Sequence, residues 1–170
     1  MQTLTDAQAE TIAARLADGG GVLEWIAREH DVPTFRVLEL LPASERLIVR
    51  DPPLADLLDQ LSAWGEVMII VQSPSLVAEV VSPLPPATSG RGFLNFHGDT
   101  PFGGHLKEDA CGYLACVDRT FNGRRSLSVV FYDHHGESIF KVFVRRDDQR
   151  ELIPAQITQF EQFRERLAAG

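Results

Sequence analysis

Apolar residues at Ala9, Ile12, Ala13 and Leu16 recur at the spacing of one helical face, so Thr5 to Leu16 reads as an amphipathic helix. Thr5 and Gln8 form a capping box at its start, and Gly19 to Gly21 end it. Two shorter helical runs follow, Val22 to Glu29 and Pro33 to Leu40, joined by His30-Asp31-Val32 and stopped before Pro42. After a connector, Leu54, Leu57, Leu58, Leu61 and Trp64 make one apolar stripe that stops at Gly65.

From Val67 the period changes. VMIIVQ and LVAEVV are β-branched runs around Ser73-Pro74-Ser75, which predicts a hairpin. Pro83, Pro85 and Pro86 predict a stiff extended crossing, and FLNFH, GGHLK, CGYLACV, SLSVVFY and SIFKVFV then follow as short strands. Asp133-His134-His135-Gly136-Glu137 joins the last pair as a turn, with both histidines at a solvent-exposed tip. Pro154 to Leu167 closes the chain as an amphipathic helix with Ile157, Phe160, Phe163 or Arg164, and Leu167 on its apolar face. The fold class is therefore α+β: short N-terminal helices, an antiparallel β-sheet meander and a C-terminal helix. The reading is one domain over 1–170, with a helical subdomain at 1–42 and the helix, sheet and closing helix at 54–170.

Composition narrows the function classes. With 44% hydrophobic and 24% charged residues, the 170-residue chain has the balance of an ordinary globular protein. Its net charge of -8 argues against a general nucleic-acid binder, which must neutralise phosphates with Lys and Arg. The segment LEWIAREHDVPTFRVLELLP has the shape of a helix-turn-helix, with Ile26, Ala27, Val32 and Val37 as internal packing positions. Its would-be recognition helix offers only Arg36 as a base, and residues 1–42 hold seven acidic against three basic side chains. No stretch approaches the roughly 20 apolar residues needed to cross a bilayer, and the N-terminus lacks a basic start followed by an apolar run, so the expected location is the cytoplasm. Cys111 and Cys116, five apart in an apparent strand, are expected on opposite faces as reduced core thiols.

The densest candidate chemistry lies in RGFLNFHGDTPFGGHLK, from Arg91 to Lys107. His97 and His105 can offer imidazole nitrogen to a metal, the aromatics can wall a planar ring, and Arg91 or Lys107 can meet a carboxylate. The same residues also fit plain strands and loops of an antiparallel sheet. Nine of the ten phenylalanines lie from Phe93 onward, which suits packing against helices as well as a dimer or ligand surface. No catalytic triad, phosphate loop or dinucleotide fingerprint competes.

GFLNFHG, GGHLKED, the FNGR turn and FKVFVRRDDQRELIPAQITQF, preceded by GVLEWIAREHDVPTFRVLELLP and AWGEV, together resemble the HutX/ChuX family of cytosolic heme-utilisation carriers. The resemblance covers nearly the whole chain in matching order. It implies an α+β heme-utilisation fold, a homodimer built through the sheet, and heme b bound as cargo. It also implies an intracellular carrier that takes imported heme and delivers it to a heme-degrading enzyme or other acceptor. The histidine of the family's G-H-(L/I)-K segment matches His105, the first choice of axial ligand. The segment R/H-G-Y-(Y/F)-N matches Arg91, Gly92, Phe93, Leu94 and Asn95, so its tyrosines are absent and Phe93 becomes a pocket wall without phenolate oxygen. His97 ranks second as ligand, and Tyr113, standing where relatives tend to carry His, ranks third. Arg91 and Lys107 are the nearest cations for propionates, with Arg124 more remote. A helix-turn-helix transcriptional regulator and a heme-degrading enzyme are the alternatives.

Overall fold

The computed structural model describes residues 3–170, so the first two positions of the helical region read as 1–42 lie outside the described residues. Three short helices open the chain: α1 (Asp6–Ala17), α2 (Leu23–Glu29) and α3 (Thr34–Leu38). The capping box at α1 is present, with Gln8 N donating to Thr5 Oγ1 at 3.2 Å and Thr5 N donating to Gln8 Oε1 at 3.0 Å. Strand β1 (Arg46–Arg50) and helix α4 (Leu54–Ser62) follow. Then come β2 (Glu66–Gln72), β3 (Val77–Pro83), β4 (Ala87–Gly90), β5 (Phe93–Phe96), β6 (Gly104–Lys107), β7 (Tyr113–Phe121), β8 (Arg124–Tyr132) and β9 (Ser138–Phe143), closed by α5 (Pro154–Ala169).

The strands do not form one meander. Six of them make a sheet in the order β1-β7-β8-β9-β2-β3, and β4-β5-β6 form a separate small sheet. All the pairs are antiparallel. The departure from a meander comes from β9, which returns to pair with β2, placing Ile69 opposite Val142. Strand β1, inside the stretch read as a connector, pairs with β7 from Arg46↔Val117 to Arg50↔Tyr113.

Alternation along β7 and β8 sends successive side chains to two different cores. Leu114, Cys116, Val129 and Phe131 face α4 and α5, where Phe131 stacks on Phe140 with centroids 4.4 Å apart and Trp64 meets Phe163 edge-on. Ala115, Val117, Val130 and Tyr132 face α1 to α3 together with Ile12, Ile26, Phe35 and Leu38. The phenylalanines of the sheet thus serve packing, with Phe93 as the exposed exception at 37%.

The N-terminal helices do not present a DNA-reading surface. Ile26, Ala27, Val32 and Val37 are buried as the pattern required, but α3 spans five residues, of which Thr34, Phe35, Val37 and Leu38 are buried. Its backbone is tied to the sheet by Phe35 N donating to Gly136 O at 2.9 Å, and Arg36 is ion-paired with Glu39 at 2.6 Å. The one basic side chain of this helix is thus already engaged by a carboxylate, which leaves it little to offer a base edge.

Both cysteines are buried and free, yet they do not point to opposite faces. Cys111 lies ahead of β7, not in it, and its thiol donates to Tyr113 O at 3.2 Å, so both residues join the α4/α5 core. Burial pushes the Cys111 thiol up to about 11 and the Cys116 thiol up to about 12. The folded chain therefore holds protons that the unfolded chain releases from about pH 9, and this contribution to stability falls as pH rises through about 9 to 12. Thiol labelling at pH 8 should be slow in the native protein and fast in denaturant. A native thiol that reacts as fast as a denatured one would contradict the burial.

Candidate functional site

The small sheet has one buried face and one open face, set by period-2 alternation. Leu94, Phe96 and Leu106 point into the α4/α5 core, while Phe93, Asn95, His105 and Lys107 alternate with them. The register seats Phe93 opposite Lys107 and Asn95 opposite His105. Strands β4 and β5 are joined by the two-residue turn Arg91-Gly92, both at positive φ (58° and 78°), between the paired Gly90 and Phe93. This is the backbone of a type I′ hairpin turn, and it holds Arg91 at the sheet's edge.

Asn95 organises the face. Its Nδ2 donates to the carbonyls of Thr88 (3.0 Å), Phe93 (3.2 Å) and Gly90 (3.3 Å), which turns Oδ1 toward the neighbouring strand. That oxygen lies 2.7 Å from His105 Nδ1. With Nδ1–H donating to it, the Nε2 of a neutral imidazole keeps its lone pair, the arrangement by which a second partner orients a metal-binding histidine. His97 lies beside it at 6.0 Å between ring centroids, and Phe93 flanks it at 6.3 Å in an edge contact. Arg91, Phe93, Asn95, His97 and His105 line an open pocket of about 470 Å³. Lys107 lies one strand position pair beyond His105 on the same exposed side, and Ser89 Oγ donates to Glu108 at the sheet's margin.

The structure thus brings together Arg91, Phe93, His97, His105 and Lys107, five of the six sequence candidates. It does not bring Tyr113 to them. That ring packs on Phe35 with centroids 4.2 Å apart, under Arg50 at 5.2 Å, in the core of the N-terminal helices. The reason is register: Tyr113 shares with Ala115 and Val117 the face of β7 that turns to α1–α3. Arg124 sits at the far β7–β8 turn among Arg125, Arg146 and Arg150, away from this face. His134 and His135 are exposed at the turn tip, where His134 Nε2 contacts Asp109 O at 2.9 Å.

Asn95 is the residue that sequence reasoning passed over. Its signal was present as an amide two positions before His97, but its value depends on pairing with His105 across the sheet. Among the described residues no group of three or more His, Cys, Asp or Glu side chains is gathered into a metal cage. One oriented imidazole with a second nearby suits instead a metal that arrives with its own equatorial ligands.

Residues 48–163 match the family described as haem utilisation ChuX/HutX. The chain is 33% identical over 136 residues to the intracellular heme transport protein HutX of Vibrio cholerae, covering 79% of this chain and 70% of that protein. A crystal structure of a protein from Erwinia carotovora superposes with a TM-score of 0.87 at 31% identity, over 97% of this chain and 99% of that one. The heme-binding protein ChuX superposes with a TM-score of 0.83 at 25% identity, over 92% of this chain and 99% of its own. The order of segments, the antiparallel architecture and the matched length agree, and the chain belongs to the ChuX/HutX family of heme-utilisation proteins.

Proposed function

We propose that this chain is an intracellular heme carrier, a single heme-binding domain that holds heme b at the open face of β4–β6 through His105 Nε2. The observation that carries the reading is the Asn95 Oδ1 to His105 Nδ1 contact of 2.7 Å, which leaves the other ring nitrogen for iron. Arg91 and Lys107 would meet the propionates, and Phe93 and His97 would flank the macrocycle. The absence of a reactive, accessible thiol among the described cysteines suits a non-covalent cargo. The naming of HutX as a heme transport protein favours transfer over breakdown.

One imidazole on iron restrains the heme while leaving its opposite side for an acceptor, so transfer proceeds by competition at the exposed face. The acceptor in this reading is a heme-degrading enzyme in the cytoplasm. No helix among the described residues is long and apolar enough to cross a membrane. Hemin titrated into the protein should saturate at about one per chain with a shifted Soret band. Stable spectra under reductant and oxygen would separate carriage from degradation, and a bilin product would overturn it.

The carrier is proposed to work as a homodimer. Strand β3 forms one edge of the six-stranded sheet and exposes Val77 (45%) and Val81 (37%), with Val71 and Leu76 also open beside it. An apolar, unpaired edge of this kind is a surface that soluble proteins cover. Val81→Lys should shift sedimentation from dimer to monomer; an unchanged dimer would exclude this edge as the contact.

A further inference from the structure

A pocket of about 470 Å³ opens where the β7–β8 turn, the segment between β9 and α5, and the first turn of α5 meet. Arg124, Arg125, Arg146 and Arg150 line it, over Leu152 and Ile157. Four of the chain's 16 Lys and Arg residues converge here, so this corner runs against a net charge of -8. No residue of the β4–β6 face lines it.

Two tight turns hold the arginines. Strand β7 passes to β8 through Asn122-Gly123, both at positive φ (48° and 76°), between the paired Phe121 and Arg124, so Arg124 stands at the first position of β8. Beyond β9, Arg146 bridges Leu152 in antiparallel register and residues 147–151 fold back between them. Asp147 organises that loop. Its N donates to Glu151 O and its O accepts from Arg150 N, both at 2.9 Å, while its Oδ1 accepts from Gln149 N at 2.9 Å and Glu151 N at 3.0 Å. Its carboxylate is thus spent on backbone. The Arg146 guanidinium then ties the loop to β8, Nη1 donating to Arg150 O at 3.0 Å and Nη2 to Arg125 O at 2.6 Å. Its remaining N–H groups stay free for a ligand.

Arg150 takes a left-handed conformation, φ 65°, which glycine would adopt without strain. Its side chain makes no ion pair with a described residue, so nothing inside the loop offsets that strain.

Charge selects the occupant. Arg125 is committed to Asp118 at 2.8 Å and Glu161 at 3.3 Å. Arg124, Arg146 and Arg150 enter no ion pair among the described residues, nor does Glu151, the one carboxylate among the lining residues. Three uncommitted guanidiniums against one carboxylate leave a surplus of two positive charges. A phosphate monoester near neutral pH carries about -1.5 to -2 and presents three acceptor oxygens, which matches that surplus. A carboxylate brings one charge and two oxygens, and would leave a guanidinium unmatched. Leu152 and Ile157, half-buried at the base, offer apolar surface to whatever bears the phosphate.

We propose that this pocket binds a small organic phosphate, its phosphoryl oxygens on Arg124, Arg146 and Arg150 and its apolar part on Leu152 and Ile157. The site works independently of heme carriage. Phenyl phosphate, inorganic phosphate and benzoate serve as probes, titrated into the full chain by calorimetry. Affinity should fall in that order, and that of phenyl phosphate should weaken as added salt screens the guanidiniums. Arg124→Gln and Arg150→Gln change exposed side chains outside any ion pair among the described residues, so the fold should be undisturbed. Each should weaken phenyl phosphate about tenfold. Saturating hemin should leave that affinity unchanged. The proposal fails if phenyl phosphate neither releases heat nor raises Tm, or if the double variant Arg124→Gln with Arg150→Gln binds it like the wild type. Displacement of phenyl phosphate by hemin would overturn it by giving the arginines to the cargo's carboxylates. Binding of hexaglutamate where no phosphate binds would overturn it in favour of an acidic protein partner.

Discussion

His105→Ala removes the axial ligand and should abolish the shifted Soret band, leaving weak hemin uptake through the apolar and cationic remainder of the face. The expected loss exceeds that of Asn95→Ala, which keeps the imidazole but frees its tautomer and rotation, a change that costs about 10–100-fold at metal-binding histidines. His97→Ala, one ring away at 6.0 Å, should alter the spectrum less. The ordering matters more than any one value, because it follows from the 2.7 Å contact to Asn95 Oδ1. Wild-type spectrum and affinity in His105→Ala would move the ligand elsewhere, and equal effects of all three substitutions would reduce the face to a general heme-adhesive surface. Spectrophotometric titration of the four proteins with hemin decides between these outcomes.

Lys141→Met should be the most destabilising single change outside the hydrophobic cores. It removes the ammonium beside Glu24, whose carboxylate is 6% exposed and has one oxygen already without a partner. Breaking a buried pair by deleting one partner costs about 3–5 kcal/mol, because the remaining charge is stranded. In a chain of this size each kcal/mol lowers Tm by about 2–4 °C, so a drop on the order of 10 °C is expected. The double variant Glu24→Gln with Lys141→Met should recover most of the loss, since neither charge is then buried alone. A loss below about 1 kcal/mol in Lys141→Met would mean that water reaches Glu24 and that the pair acts as a surface one. Thermal melts of the wild type, the single and the double variant measure the coupling directly.

Local pattern carried much of the architecture. The stripe from Leu54 to Trp64, the capping box at Thr5 and Gln8, and the Ser73-Pro74-Ser75 hairpin all report short-range physics: one apolar face per helix, one satisfied donor per cap, one turn per hairpin. Strands β1 and β4 escaped because RLIVR is only half-buried along its length and ATSG holds no large apolar residue, so neither has a periodic signal. The packing of Tyr113 and of the cysteines was not legible for a related reason. Which face a strand residue takes depends on where the strand begins, and Cys111 stands before β7 starts.

The sequence by itself determined the helices, most strands, the buried positions and the segment that carries His97 and His105, because these depend on neighbours a few residues away. Resemblance in segment order determined the family. Tertiary structure decided the rest: that the strands divide into two sheets, that Tyr113 belongs to a core, and that Asn95 stands across from His105. It also decided that Arg119 and the Glu24–Lys141 pair face one pocket, although Glu24 lies far from both Arg119 and Lys141 along the chain. Pairing register and strand order are long-range choices made by the burial of whole faces, and no window of local sequence contains them.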